Sequence, residues 1–458
     1  MRSHGRELSI YAQYYRYTGD PRGLLTKHFD RIQGRTQMLM QRREQALLLP
    51  KTDPAYGVLR GDGNEDLGAT EIGCGTAHPD GKMGDCQTEL PYISITSEAW
   101  GGFTTMGLVW KALGAAGGNP QITAAGATML LVAPPMLTDF HAALAAGATA
   151  GRNGTVCHPG VAGWVGCTYG RTRGYSPHGP HGAPYVFPTL DVFGGTHNIL
   201  WSGALPEHVA REFVEFWAKT GGAFTMEAPH VPPQWAGLCP FTQFGHGHGL
   251  LALDLVEQFQ LFAFAMLTQA QTPGTWTAVE CLGLDRTGPS GALRPTGGGM
   301  GSGYVAPSQA LMPTIVKWLC QFEDHRGVLW LGKALPREWL ASGAPPVALH
   351  RSPSSYGRIS FSIAATSVDS VTANVTLPAT IVRSQAHHTS IAGGQGFAWP
   401  PGGIKLRLRS PAFPAKKLSA VTVGGVRWLH FNATEETVVF VSAPRDPTAL
   451  QRITATWA

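Results

Sequence analysis

Residues 357–378, GRISFSIAATSVDSVTANVTLP, decide the fold. Ile359, Phe361 and Ile363 recur at every second position, and so do Val371, Ala373, Val375 and Leu377. Side chains of an extended chain point alternately to opposite faces, so this spacing predicts strands with one apolar face each. The pattern continues downstream. IKLRLR alternates Ile404, Leu406 and Leu408, VTVGGVRW carries a Gly424–Gly425 hairpin turn, and ETVVFV and RITATW complete about six short strands. Together they predict a C-terminal β-sandwich over 356–458.

Upstream the period lengthens to that of a helix, so the chain is mainly α. Residues 7–48 read as a helix pair: Leu8, Ile10, Tyr11, Tyr14 and Tyr15 precede a GDPRG turn, and Leu24, Leu25, Phe29, Ile32, Met38 and Leu39 follow it. A third helix starts near Ile95, and a fourth covers 120–148 with a break expected at Pro134–Pro135. PEHVAREFVEFWAKTGG is a further helix with Pro206 in its first turn. GLLALDLVEQFQLFAFAMLTQAQ is apolar on nearly every side and predicts a helix buried on both faces; VAPSQALMPTIVKWLCQFEDH is helical again. Long Gly-rich loops separate these helices at alternate connections. Antiparallel helix hairpins with the more apolar members inside make an α/α toroid over 1–342. About seven helices fall short of the full six-hairpin ring, which places the missing turns upstream of Met1. A Pro-rich linker, ASGAPPVALHRSPSS, spans 341–355.

Composition supports two domains: 458 residues exceed what one core usually accommodates, and 43% apolar against 14% charged residues is a globular balance. Of 35 Lys/Arg and 30 Asp/Glu, residues 343–458 hold 11 and 4, leaving 24 and 26 for residues 1–342. The basic excess therefore sits in alternating segments such as IKLRLR, where it reads as a solvated sheet face, and nucleic acid is not an expected partner. No membrane span is expected either, because Asp254 and Glu257 interrupt the longest apolar run. Cys74/Cys86 and Cys157/Cys167 are spaced for short disulfides, and Asn153, Asn374 and Asn432 head glycosylation sequons. These features point to an extracellular or secretory setting, although MRSHGRELSIYAQYYRYTGD has no signal-peptide core, so either the protein stays inside or the chain starts partway through a longer one. The oligomeric state is left open.

The chemistry concentrates in the loops. The first collects Asp62, Glu65, Asp66, Glu71, Asp80, Asp85 and Glu89; TPGTWTAVECLGLDRTG, residues 272–288, adds Glu280 and Asp285. Trp100, Trp164, Trp235, Trp276 and Tyr92 lie in or beside them. Acids transfer protons and bind hydroxyls, and flat rings cover the apolar faces of pyranoses, so the combination suits a carbohydrate substrate. Glycoside cleavage needs two such acids, roughly 6.5–9.5 Å apart for inversion. The competing account of the first loop is a merely soluble or calcium-binding surface; that of Glu280, amid Trp276, Val279, Cys281 and Leu282, is a core ion pair with Arg286. His246 and His248, like His178 and His181, have spacings that a metal could use, but loop histidines flanked by glycine are more often solvated, and no metal or cofactor is expected. His246 is instead expected to bind substrate at the rim. GGGMGSG at 297–303 lacks the Lys-Ser/Thr ending of a phosphate loop.

GTWTAVE resembles the G-x-T-T-x-W-E segment of α-L-rhamnosidase-type six-hairpin glycosidases, and SQALMPTIVKWL with LWLGKALPREWL resembles the same superfamily. The resemblance implies that Glu280 is the general base of an inverting hydrolysis. Val279 stands where the family has tryptophan, with Trp276 nearby instead. The layout of 56–114 resembles the family's acid-bearing loop and helix, which implies Glu89 as general acid and Asp62 and Asp66 as its rivals or substrate ligands; Trp100, His246, Trp276 and Asp285 are expected to bind substrate from their places in or beside the loops. The expected function is a glycosidase acting on a plant, algal or microbial poly- or oligosaccharide. The alternatives are a toroidal polysaccharide lyase using Tyr304 and His246, and a non-catalytic carbohydrate-binding relative.

Overall fold

The computed structural model describes residues 3–53, 56–61, 90–91, 93–152, 196–220, 237–238, 243–269, 271, 277–278, 282–285, 294–296, 306–377, 399–412, 414–441 and 451–458. Nine α-helices occur among them: α1 (Ser3–Thr18), α2 (Phe29–Leu47), α3 (Ile93–Ala116), α4 (Pro120–Arg152), α5 (Thr196–Ser202), α6 (Glu207–Thr220), α7 (Phe244–Ala252), α8 (Val256–Gln269) and α9 (Ala306–Cys320). Two small sheets lie in the connections. β1 (Arg60–Gly61) pairs with β2 (Leu90–Pro91) just before α3, and β3 (Gly237–Leu238), β4 (Leu282–Asp285) and β5 (Arg294–Thr296) form the other.

The remaining strands make two larger, mostly antiparallel sheets after the helices. They are β6 (Gln321–Glu323), β7 (Leu329–Leu331), β8 (Val347–Ser354), β9 (Gly357–Ser367), β10 (Ser370–Thr376), β11 (Ile404–Arg407), β12 (Leu418–Val423), β13 (Val426–Arg427), β14 (Phe431–Asn432), β15 (Thr437–Phe440) and β16 (Gln451–Trp457). One sheet has the order β13-β12-β16-β10-β9-β8, the other β14-β15-β11-β7-β6. The alternation in the opening stretch has the expected result: Ile359, Phe361, Ile363, Val371, Ala373, Val375 and Leu377 are buried in one cluster with Ile404, Leu406, Val438 and Phe440 of the other sheet. Gly424 and Gly425, with φ of 59° and 81°, close the β12–β13 hairpin, where only a residue without a Cβ adopts both angles cheaply.

Several expectations are corrected. The segment at 341–355 is not merely a linker, since it contains β8, and Pro353 is accommodated because β8 is an edge strand with one side unpaired. The second sheet takes β6 and β7 from upstream of 342, with β11 running parallel to β7. Helix α4 continues through Pro134 and Pro135, both exposed, so the carbonyls left without a donor are on the side that water reaches. By length and composition α4 could also cross a bilayer. In the structure it lies along α3, so close that a Cβ on Gly126 would stand 2.3 Å from the Lys111 nitrogen, and its Asp139 pairs with Arg43. The apolar run 249–271 is two helices rather than one, turned at Asp254 with φ 60°, and α8 is not buried all round: Leu261 and Phe264 are 54% and 46% exposed.

The largest correction concerns IKLRLR. Arg407 and Arg409 are not on a solvated face; both are buried. Arg407 donates to both Asp254 oxygens at 2.9 and 2.8 Å, and Lys333 Nζ reaches Asp254 Oδ1 at 2.5 Å while lying 3.3 Å from the centre of the Trp330 ring. Arg409 reaches Glu257 at 2.9 Å, and Gln260 donates to the Ala334 carbonyl at 2.9 Å. The start of α8 is thus bonded to the second sheet by polar contacts. Burial alone would raise the Asp254 pKa, but the Arg407 hydrogen bonds and the Lys333 charge outweigh it and bring it down to about 2. Burial pushes Lys333 down to about 8, against the pull of Asp254.

Two outcomes follow. Asp254→Asn leaves Lys333 and Arg407 buried without a counter-charge and should destabilise the fold by about 3–5 kcal/mol in denaturant titrations. A carboxylate with a folded pKa of about 2 against 3.8 contributes stability that is complete above 3.8 and disappears as pH falls through about 2. The denaturation midpoint of the wild type should therefore fall more steeply across this interval than that of Asp254→Asn.

Candidate functional site

Helix α3 has just two charged residues, Glu98 and Lys111, and threads between α1 and α4 on small residues. A Cβ on Gly102 would stand 2.4 Å from the Gly5 carbonyl oxygen, so the α1 and α3 backbones all but touch there. Beyond that contact a cleft of about 250 Å³ opens. Arg6, Ser9, Gln13 and Arg16 of α1, Glu98, Trp100, Thr104 and Thr105 of α3, Trp201 of α5 and His248 of α7 line it. Glu323, Asp324 and His325 after α9, and Ser355 and Tyr356 from the β8–β9 turn, complete it. Among the described residues its helical lining comes from alternate helices, α1, α3, α5 and α7, and none from α2, α4, α6 or α8.

Its polar groups are firmly held. Arg6 pairs with Glu98 at 2.5 Å. The Ser355 N–H donates to both Glu323 oxygens at 3.2 and 3.1 Å, and the Tyr17 hydroxyl donates to Glu323 at 3.3 Å. Lys317 in turn donates to Tyr17 at 3.2 Å and to the Pro353 carbonyl at 2.9 Å, joining α9, α1 and β8. Burial first, and the Glu323 charge second, push the Tyr17 and Tyr356 hydroxyls far above the usual phenol range, so both stay protonated. Asp324 accepts the N–H groups of Arg326 and Val328 and shapes the β6–β7 turn.

The histidines divide. His248 is buried with its ring 4.8 Å from that of Trp201 and 5.0 Å from that of Phe322. Burial, then the neighbouring His325, lowers it to about 3, so it is neutral in this wall at any ordinary pH. His246, expected at the rim, is on α7 and fully buried, edge-on to Phe262 at 5.6 Å, where no substrate reaches it. Burial lowers it to about 4. Both belong to a helix, not to the glycine-flanked loop their spacing suggested, because the glycines provide close contact: a Cβ on Gly247 would stand 2.7 Å from Phe262.

Of the residues singled out from the sequence, Trp100 lines the cleft. Asp285 is on β4 opposite Arg294 of β5. Glu280, Glu89, Asp62, Asp66, Trp276 and Tyr304 lie outside the described residues, as do His178, His181, the spaced cysteine pairs and the sequon at Asn153. Sequence reasoning missed Glu98, Trp201, Glu323 and Tyr356, and weighed His248 only as a metal ligand. Glu98 had a signal, being the lone acid in an apolar helix; Glu323 and Tyr356 had none, because distant turns bring them in. Among the described residues no group of three His, Cys, Asp or Glu side chains converges to hold a metal. Compared with protein-family models and with curated proteins, the chain matches none.

The α1–α3 contact can be tested directly. Gly102→Ala should cost about 1–3 kcal/mol of stability, because the new methyl group meets backbone that cannot rotate aside.

Proposed function

We propose that the chain is a glycoside hydrolase with an α/α toroid and a C-terminal β-sandwich, cleaving a poly- or oligosaccharide by inversion. The observation that carries this reading is the cleft: its helical wall comes from alternate helices, as the lining of a toroid's axis comes from its inner helices, and it presents Trp100, Trp201 and Tyr356 beside Glu98 and Glu323. Such rings suit the apolar faces of pyranoses, and the fixed acids and threonines suit their hydroxyls. Polar contact between Tyr17 of α1 and both Lys317 and Glu323 brings the first described helix back to the last, which also favours a ring.

In this reading Glu280 draws the proton from water and Glu89 protonates the leaving oxygen, roles that rest on the resemblance of GTWTAVE and of the 56–114 layout. Ala278, two residues before Glu280, is buried, and its N–H donates to Gln309 of α9 at 3.0 Å, so the approach to Glu280 is anchored to a core helix. Of the Tyr304 and His246 pair that a lyase reading would use, His246 is fully buried, which favours the hydrolase reading; Tyr304 lies outside the described residues. A secreted setting belongs to the same proposal, with Asn432 exposed and available to a glycan.

Turnover on a panel of aryl glycosides and plant or algal polysaccharides tests the proposal. Glu280→Gln should lower kcat by roughly a thousandfold with the melting temperature nearly unchanged, within the usual range for losing a general base. Unchanged turnover in that variant would sink the assignment. Trp100→Ala should raise KM more than it lowers kcat, since a stacking platform binds ground and transition states alike.

A further inference from the structure

The charges of the cleft do not cancel evenly. Each of its carboxylates already has a cation within the protein: Glu98 has Arg6, Asp324 has Arg326 besides the turn N–H groups, and Glu323, held by the Ser355 N–H and Tyr17, has the charge of Lys317. Those pairs also occupy Arg6 and Arg326. Arg16 differs. It lines the same cleft, is half-buried, and among the described residues its guanidinium makes neither an ion pair nor a hydrogen bond. Its charge is felt by Tyr17 and Tyr356, both protonated and neutral. A partly desolvated cation without a counter-charge is unfavourable, and a ligand anion would relieve it.

We propose that this cleft is a subsite for an acidic sugar, a uronate-class pyranoside whose ring carboxylate pairs with Arg16 while its ring lies among Trp100, Trp201 and Tyr356. This rests on the carbohydrate reading above. One unmatched guanidinium suits one negative charge, and its planar fork fits a carboxylate edge-on with two parallel hydrogen bonds. A phosphate ester would bring up to two charges and leave part of them uncompensated. Neutral His248 in the wall adds no second positive charge.

Calorimetric titration of the full chain with methyl β-glucuronide and methyl β-glucoside, which differ only at C6, tests this. The glucuronide should bind about tenfold more tightly, the equivalent of one charge-assisted hydrogen-bonded pair. Arg16→Gln should erase that preference, Arg16→Lys should keep part of it, and neither should lower the melting temperature, since Arg16 has no ion pair or hydrogen bond to lose among the described residues. Equal binding of the two glycosides, unaffected by Arg16→Gln, would overturn the uronate assignment and leave the carbohydrate reading standing. Equal or tighter binding of methyl glucoside 6-sulfate would overturn the carboxylate in favour of bare charge. Binding of none of them, nor of an acidic and a neutral tetrasaccharide, would remove both the assignment and the carbohydrate reading.

Discussion

One carboxylate, Asp254, joins the helices to the sheets. It occupies the corner between α7 and α8 at φ 60°, a conformation that aspartate tolerates better than most residues, and from there it meets Lys333 and Arg407. Both cations are almost fully withdrawn from water, which is tolerable only because the anion is within hydrogen-bond reach. The corner also sets how α8 is turned. Asp254, Glu257 and Gln260 recur every third residue and all bond toward the sheet side, to Arg407, Arg409 and the Ala334 carbonyl. With that face fixed, Val256, Phe259 and Ala263 enter the core and Leu261 and Phe264 are left outside.

The cleft depends on the same joint. Strand β7 follows α9 closely, with Gly332 and Ala334 donating back to the carbonyls of Cys320 and Leu319 at 2.5 and 3.0 Å. Docking of β7 beside β11 therefore determines where the turn bearing Glu323, Asp324 and His325 comes to rest, against α1, α3 and α5. His248 reaches the same wall from α7, six residues before Asp254. The helices supply Trp100, Trp201 and Glu98, and the strands and their turns supply Glu323, Asp324 and Tyr356, so neither part alone contains the cleft.

Local periodicity made most of the elements legible. Alternation in 357–378 and the Gly424–Gly425 pair depend on neighbours a few residues away, and those strands and that turn are where the pattern put them. The helix pair at 7–48 was legible for the same reason, as the face of Leu8, Ile32 and Leu39 shows by its burial. Readings failed where the environment of a residue came from elsewhere in the chain. Pro134 and Pro135 do not end α4, because solvent takes the freed carbonyls. A Pro-rich stretch proved to be an edge strand, since only pairing with β9 could reveal it. His246 and His248 were read as solvated because glycine commonly marks a loop, whereas here it lets helices approach. Of the cleft, Trp100 was legible as an aromatic beside an acid-rich loop; Glu323 and Tyr356, brought together by two distant turns, were not.

The misreading of IKLRLR carries the wider lesson. Alternation tells which residues share a face, not what covers that face. Leu406 and Leu408 go into the shared core of the sheets, and their alternates, Arg407 and Arg409, go under α8 instead of into water. Part of the basic excess of residues 343–458 is thereby matched across the joint by Asp254 and Glu257, acids of the nearly neutral helical part. Arg337 and Glu436 make a reciprocal pair, a cation from before residue 342 with an acid from after it. The uneven charge along the chain is therefore in part the signature of an internal interface. A cationic strand segment that follows an acid-bearing helical region should first be tested for such pairing before its charge is assigned to solvent or to an external partner.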